Sequence, residues 1–209
     1  AHYHCEQALN AMLRKDDVAA ATLLRRALEL NRKAVRATIL LGDIELQAGR
    51  PAAAIERWRE VENQNSAYLP IVAERLVAAH RELGRLDEGL QLLQAYQARH
   101  ASHDLFHILF LSIAQAHGWP AAERLAAEAL RQQPGLRVLD DYLQACAGLA
   151  GERAEVETRM AQDLVHRHVS RASHYQCDQC GFRARQFFWQ CPACARWDSI
   201  APERLEVDQ

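Results

Sequence analysis

The sequence predicts an all-α array of stacked helix hairpins followed by a small metal-binding domain with four cysteine ligands. Two observations predict this architecture. Small and apolar residues recur with a period of about 34 positions in the N-terminal part of the chain, and four of the six cysteines form two C-x-x-C pairs near its end. We therefore expect helical repeats over residues 1–168, a short linker over residues 169–174 and a metal domain over residues 175–209.

The composition of the 209 residues is that of a soluble globular protein, with 49% hydrophobic residues and a mean hydropathy of -0.30. A net charge of -2 and an isoelectric point near 6.6 argue against a general nucleic-acid binder, which usually carries a basic excess. No apolar run approaches the roughly 20 residues that a membrane helix needs. The chain starts at Ala1, inside what reads as a helical repeat, so we expect it to be a fragment of a longer protein.

Helix-forming residues dominate the first 168 positions, where glycine and proline serve mainly as punctuation. Several positions of the first unit recur about 34 residues later, which is the period of a tetratricopeptide hairpin. The matching positions are Ala8, Ala20, Leu24, Ala27 and Asn31 in the first unit, and Gly42, Ala54, Trp58, Val61 and Asn65 in the second. Small residues let two antiparallel helices approach closely, and the large ones fill the gap to the next hairpin.

Two further units follow, and then a divergent helix pair. The third unit turns at Leu83-Gly84-Arg85, and the fourth turns at His117-Gly118-Trp119-Pro120. The segments Arg137 to Leu149 and Arg153 to His168 read as a last helix pair without the repeat consensus, as expected where a terminal pair meets something other than another repeat. The predicted fold is a tetratricopeptide-type helical solenoid of about four units plus this pair.

The two cysteine pairs predict one metal site. Cys177 with Cys180, and Cys191 with Cys194, each place two thiolates on one tight turn, and four thiolates are the ligand set of a tetrahedral Zn²⁺ or Fe ion. Gly181 follows the first pair, where the turn needs a residue that tolerates a positive φ. Two disulfides are the rival interpretation, but an extracellular disulfide framework rarely repeats C-x-x-C. We expect one metal ion, and zinc in the purified protein.

The other cysteines and the ten histidines give no catalytic constellation. Cys5 and Cys146 read as small buried residues. His103 and His107 are four positions apart on one helical face, which His100 could join, but such a pair needs a third ligand to hold Zn²⁺. The sequence contains no phosphate-binding glycine loop, nucleophile elbow or H-E-x-x-H motif, so we expect no enzymatic activity.

The metal domain is rich in large aromatic residues, namely Phe187, Phe188, Trp189 and Trp197. So small a domain cannot bury all of them by itself. Because the linker contains no long flexible tether, we expect some of these aromatics to dock on the last helices. An internal aromatic core around the metal is the alternative, and the two arrangements do not exclude each other.

The C-terminal motif as a whole resembles a known family. Tyr175-Gln-Cys-Asp-Gln-Cys-Gly-Phe is followed by Phe188-Trp189-Gln-Cys-Pro-Ala-Cys and then by Arg196-Trp197-Asp198-Ser199-Ile200. This order is similar to the rubredoxin-type C-terminal domain of the lipopolysaccharide assembly protein B family, whose members carry tetratricopeptide repeats immediately upstream. The resemblance covers essentially the whole chain, and the C-terminal motif with its shortened spacer is its most specific part.

The resemblance implies an inner-membrane protein of Gram-negative bacteria, with its repeats and metal domain on the cytoplasmic face and an N-terminal membrane helix that this chain does not include. It implies an adaptor that regulates lipopolysaccharide synthesis by promoting degradation of the lipid A pathway deacetylase by a membrane-anchored AAA protease. A second inner-membrane protein, which senses lipopolysaccharide, would oppose this activity. Only the four cysteine ligands transfer by position.

Two function classes compete for this chain. The leading hypothesis is an adaptor whose repeats bind a protein partner, with Arg36, Asp43 and Gln47 as candidate contacts, although ordinary solvated positions are the alternative for all three. The second is a rubredoxin-like one-electron carrier, which the short spacer from Gly181 to Gln190 and the large repeat array disfavour. A zinc ribbon that binds nucleic acid is a third interpretation, disfavoured by the negative net charge.

Overall fold

The computed structural model describes residues 1–150, 156–172 and 174–205, and within them the chain forms ten α-helices and one short pair of strands. The helices are α1 (His2–Leu13), α2 (Asp17–Leu30), α3 (Val35–Gln47), α4 (Pro51–Asn65), α5 (Leu69–Glu82), α6 (Leu86–Arg99), α7 (His103–His117), α8 (Trp119–Gln132), α9 (Leu136–Ala150) and α10 (Val156–Ala172). A 3-10 turn, Ser66–Tyr68, joins α4 to α5. Strands β1 (Tyr175–Gln176) and β2 (Arg183–Ala184) pair antiparallel.

The chain divides into two compact units, Ala1–Leu92 and Leu93–Gln209, and the boundary falls inside α6. In the first unit, α1 packs on α2 and α3 on α4, and each of these hairpins continues onto the next helix in the chain. In the second unit, α7 packs on α8, α8 on α9 and α9 on α10. This succession of hairpins is the arrangement that the 34-residue period predicts.

The hairpin of α3 and α4 shows why the repeat alternates small and large residues. Trp58 of α4 is fully buried, and its indole Nε1 donates a hydrogen bond to the carbonyl oxygen of Ile39 at 3.1 Å. The ring lies so close to Gly42 of α3 that a Cβ at that position would sit 2.2 Å from Trp58 Nε1. Glycine at position 42 is therefore required by the close approach of the two helices.

The last helices of the second unit repeat this relationship, although the sequence showed no repeat consensus there. Trp119, at the start of α8, lies over Gly148 of α9, where a Cβ would sit 2.3 Å from Trp119 Cδ2. A tryptophan facing a glycine thus joins α8 to α9 as it joins α3 to α4. The first helix of the divergent pair therefore packs on the fourth unit through a tryptophan and a glycine, and here the tryptophan lies on the earlier helix and the glycine on the later one.

The segment that the sequence assigned to a linker, residues 169–174, is helical as far as Ala172, because α10 continues through it. No glycine or proline interrupts residues 169–172, so nothing in that stretch ends the helix. The chain then enters the metal domain at His174. The expected helix start at Arg153, the linker residue Ser173 and the last four positions of the predicted metal domain, 206–209, lie outside the described residues.

No helix in the described part of the chain combines the length and the apolar character that crossing a bilayer requires.

Candidate metal centre

The structure brings the four predicted cysteine ligands together at one point of the second unit. Their sulfur atoms all lie within 4.8 Å of one another. Cys177 Sγ is 3.8 Å from Cys194 Sγ, and Cys180 Sγ is 3.7 Å from Cys191 Sγ. A tetrahedral ion with metal–sulfur bonds of about 2.3 Å needs sulfurs about 3.8 Å apart. Both the donor set and these spacings therefore fit a single Zn²⁺ or Fe ion.

The first cysteine pair sits on a knuckle closed by two backbone hydrogen bonds. The carbonyl oxygen of Cys177 accepts from the N–H of Gly181 at 2.9 Å, and the N–H of Cys177 donates to the carbonyl oxygen of Phe182 at 2.9 Å. Gly181 adopts φ of +73°, the left-handed conformation that glycine takes without steric cost. Gly181, which the sequence predicted at this turn, therefore lets the backbone reverse direction after Cys180.

The second pair repeats the first knuckle bond for bond. The carbonyl oxygen of Cys191 accepts from the N–H of Ala195 at 2.9 Å, and the N–H of Cys191 donates to the carbonyl oxygen of Arg196 at 2.9 Å. Ala195 occupies the position of the glycine in the first knuckle and adopts φ of 55°. A residue with a Cβ pays roughly 1–2 kcal/mol for this conformation. The knuckles share a backbone design, and only the first is free of strain.

In each knuckle the first cysteine is buried and the second is exposed. Cys177 and Cys191 are each 1% exposed, whereas Cys180 and Cys194 face solvent. The Ser199 hydroxyl lies 3.3 Å from Cys177 Sγ and 3.2 Å from the carbonyl oxygen of Arg196. Its hydrogen bond is the main reason that the pKa of Cys177 falls to about 6. A serine close to the buried sulfur thus favours the thiolate form, which is the form that binds metal.

The pKa of Cys180 shifts in the opposite direction when no cation lies between the sulfurs. The backbone N–H of Phe182 lowers the pKa of Cys180, but burial and hydrogen bonds with the other three cysteines together raise it to about 12. Four sulfurs gathered in one place cannot all carry negative charge without a cation between them. A bound metal ion would supply the positive charge that lets all four sulfurs become thiolates. Its binding would therefore release protons from the thiols.

The predicted aromatic residues lie around the ligand cysteines. Phe187 and Phe188 pack against the buried cluster of Cys177, Cys191 and Ile200. The ring centroid of Phe187 is 5.9 Å from that of Tyr175 and 5.1 Å from that of Trp189. These contacts form the internal aromatic core that was the alternative to docking.

Trp197 is half-buried and forms an antiparallel bridge with Gln190 beside the second knuckle. Docking of Phe187, Phe188, Trp189 or Trp197 on the helices stays a prediction.

Hydrogen bonds and ion pairs that the sequence did not predict join the metal domain to the helices. Arg204 donates its backbone N–H to Asp104 Oδ2 at 2.8 Å, and its Nε and Nη2 to Asp104 Oδ1 at 2.9 and 2.7 Å. Arg137 of α9 also donates to Asp104 Oδ1, and to the carbonyl oxygen of Arg204 at 3.3 Å. Glu203 accepts the backbone N–H of His103 at 2.9 Å. We call Asp104, Arg137 and Arg204 the ion-paired joint.

Burial raises the pKa of Asp104, but the hydrogen bonds from Arg204 and the charge of Arg137 outweigh it and leave the pKa below its ordinary value. The carboxylate is 5% exposed, so its charge is satisfied by the two guanidinium groups and not by water. No local motif signals this joint, because Asp104 and Arg204 are 100 positions apart. Close by, His174 and Leu205 exchange backbone hydrogen bonds of 3.0 and 2.7 Å, which hold the beginning of the metal domain to its last described residue.

The three predicted partner-contact residues lie in the first unit. Arg36 Nη1 is 2.7 Å from Glu6 Oε1, with only 11% of the arginine side chain exposed. Asp43 pairs with Arg75 at 2.9 Å, and burial raises the pKa of Asp43 although Arg75 lowers it. Gln47, at the end of α3, is exposed. Two of the three thus link neighbouring helices, and the assignment of all three as partner contacts stays a prediction.

The fold and the site together define a class: a tetratricopeptide-type helical repeat protein that ends in a four-cysteine, rubredoxin-like zinc ribbon. Residues 175–202 match the zinc-ribbon family described as "Rubredoxin metal binding domain". A solved structure titled "Functional Characterization of Pseudomonas Aeruginosa pilF" is 21% identical, with a TM-score of 0.50, over 79% of this chain and 75% of that one, which is a likeness of fold alone.

Particular relatives match almost the whole chain. It is 29% identical over 205 residues to the lipopolysaccharide assembly protein B of Escherichia coli strain K12, covering 98% of this chain and 53% of that protein. It is 26% identical over 183 residues to the protein of the same name from Haemophilus influenzae, covering 87% and 46%. The chain spans about half the length of the curated relatives that it matches. The resemblance predicted from the sequence is confirmed, as is the fold class.

Proposed function

We propose that this chain is the repeat-and-ribbon part of a non-enzymatic adaptor that regulates lipopolysaccharide synthesis. The adaptor presents the lipid A pathway deacetylase to a membrane-anchored AAA protease for degradation, and an inner-membrane protein that senses lipopolysaccharide opposes it. The name of the relatives supports the pathway. A helical repeat array, whose long surfaces suit protein ligands, supports the adaptor role. We place this presentation of the deacetylase to the protease at the cytoplasmic face of the inner membrane.

The observation that carries the proposal is the ion-paired joint. Asp104 lies at the start of α7, Arg137 at the start of α9, and Arg204 just beyond the metal knuckles. A bound metal would fix the fold of the ribbon, and the joint fixes the ribbon to two repeat helices. Such a unit offers one composite surface of defined shape, which a substrate-presenting adaptor needs and a freely tethered ribbon would not supply.

We assign the partner contact in the second unit to a groove of about 630 Å³. Phe106, Leu109 and Leu125 supply apolar surface to its lining, and Gln94, Gln97, Gln132 and Gln133 supply amide groups. Glu203, which belongs to the joint region, also lines it. Apolar surface beside many amide donors and acceptors suits a protein segment that brings both side chains and backbone groups. The partner's contact would then depend on the metal domain being in place.

The test is a pull-down of the purified chain with its cognate deacetylase and protease, followed by a degradation assay with the protease in lipid vesicles. We expect Leu125→Glu to weaken deacetylase binding, because it buries a carboxylate in the groove. Leu164→Glu is the matched control, since Leu164 is 65% exposed on α10. Cys191→Ser, which leaves three thiolates, should also weaken binding by loosening the ribbon. If the chain associates with neither protein, the adaptor proposal is wrong.

One observation favours a second candidate function, a rubredoxin-like one-electron carrier. Cys180 and Cys194 face solvent, and an electron carrier needs an exposed edge on its metal site. Metal analysis with a visible spectrum separates the two candidates. A site that holds zinc after purification from zinc- and iron-supplemented cells has nothing to reduce and supports the adaptor. A coloured iron form that bleaches and recovers reversibly would support electron transfer.

A further inference from the structure

A small cavity of about 80 Å³ lies in the second unit, apart from the cysteine site. Three histidines line it: His103 and His107 from α7, and His166 from α10. Asp140 and Asp141 of α9 complete this group. His103 and His107 are one helical turn apart on the same face, and the fold supplies a third imidazole from a distant part of the chain. We call these five side chains the histidine–aspartate cluster.

Two of the imidazoles are held by carboxylates in the manner typical of metal ligands. His107 Nδ1 is 2.6 Å from Asp141 Oδ1, and His166 Nδ1 is 2.9 Å from Asp140 Oδ2. A carboxylate oxygen can only accept a hydrogen bond, so in each neutral imidazole the hydrogen lies on Nδ1 and the lone pair on Nε2. The Ser170 hydroxyl lies 3.4 Å from Nε2 of His166, and a metal ion would replace this contact. Histidines that bind metals through Nε2 almost always donate Nδ1–H to a carboxylate or carbonyl oxygen in this way.

The charges around the cavity favour a cation. Asp140 is 8% exposed and Asp141 2% exposed, and Asp140 Oδ1 is a buried oxygen without a hydrogen-bond partner in the described structure. A buried carboxylate oxygen in that state is costly unless a positive charge satisfies it. The guanidinium groups of Arg137 and Arg204 reach the cavity, but both bond to Asp104. The two arginines and three aspartates leave one negative charge in excess.

We propose that the cavity is a second metal site, which binds a divalent transition-metal ion such as Zn²⁺ or Ni²⁺ through Nε2 of His103, His107 and His166. Asp140 and Asp141 hold two of these imidazoles, and the ion offsets the charge of Asp140. Imidazole nitrogen is a ligand that both ions accept readily. Among the described residues only the four cysteines already bring three or more ligand atoms within 4.8 Å. Binding therefore draws the ring of His166, 59% exposed at the rim, toward α7.

The test uses the whole chain with its cysteine site loaded with zinc, titrated with Ni²⁺ by isothermal calorimetry. A chromogenic chelator in a parallel sample reports any zinc displaced from the cysteines. We expect one further equivalent to bind without zinc release. His107→Ala and His166→Gln should each weaken this binding by more than about tenfold, and Asp140→Asn by about 10- to 100-fold. Circular dichroism confirms that each variant keeps the helical fold.

His168→Gln is the matched control, because His168 is an exposed histidine of the same helix and does not line the cavity. It should leave the Ni²⁺ affinity unchanged. The proposal is overturned if no further equivalent binds, or if His168→Gln weakens binding as much as His166→Gln does. It is also overturned if the bound equivalent survives loss of both His107 and His166. His166→Gln changes a largely exposed side chain, so its result does not depend on the tolerance of the core.

Discussion

The carboxylate of Asp104 binds both the backbone and the side chain of Arg204, a residue 100 positions later in the chain. Asp104 belongs to the first turn of α7, and Arg204 follows the cysteine knuckles. The pairing ties a helix of the repeats to the metal domain through a buried charge. Arg137 also donates to Asp104 Oδ1, so this oxygen accepts hydrogen bonds from both guanidinium groups.

We predict that Asp104→Asn lowers the free energy of unfolding by about 3 kcal/mol, since removing one member of a buried ion pair leaves the other charges unsatisfied. Urea denaturation followed by circular dichroism measures the change. Asp163→Asn, an exposed aspartate of α10, is the control and should be nearly neutral. The double variant with Arg204→Gln should cost less than the sum of the single changes. Equal losses for the two aspartate variants would show that the joint contributes nothing to stability.

The unequal strain of the two knuckles gives a paired prediction. Gly181→Ala places a Cβ at φ of +73° in open space, so it should cost roughly 1–2 kcal/mol through the backbone alone. Ala195→Gly should gain a smaller amount, because glycine also adds freedom to the unfolded chain. Competition with a zinc chelator reads both changes as affinity, since metal binding and folding are coupled.

Ala193→Gly is the control for this pair, because Ala193 lies in the same knuckle and has no positive φ. It should weaken zinc binding slightly through chain entropy. If Ala195→Gly weakens binding as much as Ala193→Gly does, the strain assigned to the second knuckle is absent.

A buried histidine of the first unit predicts a pH dependence of stability. His80 is 7% exposed, and in the described structure neither ring nitrogen has a hydrogen-bond partner. Burial lowers the pKa of His80, the charges of Arg85 and Arg59 lower it further, and Glu88 opposes them. The unfolded chain therefore takes up a proton at a higher pH than the folded chain. Stability contributed by the neutral ring is present above about pH 6.5 and falls as the pH drops through the folded pKa.

Urea denaturation between about pH 7 and pH 5 tests this, because one such group changes the unfolding free energy by at most about 1.4 kcal/mol per pH unit. His80→Leu should give a flatter dependence than the unaltered chain, and His168→Gln should not. Parallel pH profiles for the His80→Leu variant and the unaltered chain would contradict the assignment.

The contact between Gly42 and Trp58 predicts a large effect of one methyl group. Gly42→Ala would place a Cβ about 2.2 Å from a fully buried indole, so the helices must separate or the ring must move. Overpacking of this kind costs about 1–3 kcal/mol. Gly135→Ala is the control, since a Cβ there meets nothing within 4 Å and the backbone φ is ordinary. A melting temperature unchanged by Gly42→Ala would show that the hairpin adapts freely.

Local patterns in the sequence were enough for the fold class and for the clustering of the cysteines. The spacing of Gly42 and Trp58 follows from the close packing of the two helices of one hairpin, and two C-x-x-C turns can present four sulfurs with little help from the rest of the chain. The ion-paired joint could not be found in this way. Asp104, Arg137 and Arg204 carry no periodic signal, and their meeting depends on where three separate segments arrive in the fold.

The same limit explains the histidines. His103 and His107 were recognisable as a helical pair that lacked a third ligand, but α10 had to be positioned before His166 could be considered beside them. The continuation of α10 through Ala172 was also missed, because the last helix was expected to end at His168, although residues 169–172 contain no glycine or proline. Contacts between residues from distant segments of the chain therefore could not be predicted from local sequence patterns.

The ion-paired joint also sets an order of events during synthesis. Arg137 is made 33 residues after Asp104, and Arg204 is made 100 residues after it. At about 5–20 residues per second, the ribosome takes roughly 5–20 s to cover the longer distance, whereas a helix forms in about a microsecond. Asp104 and Arg137 can therefore meet on finished helices while the ribbon is still unmade. During synthesis, Asp104 can therefore be paired with Arg137 before Arg204, its second cationic partner, has been made.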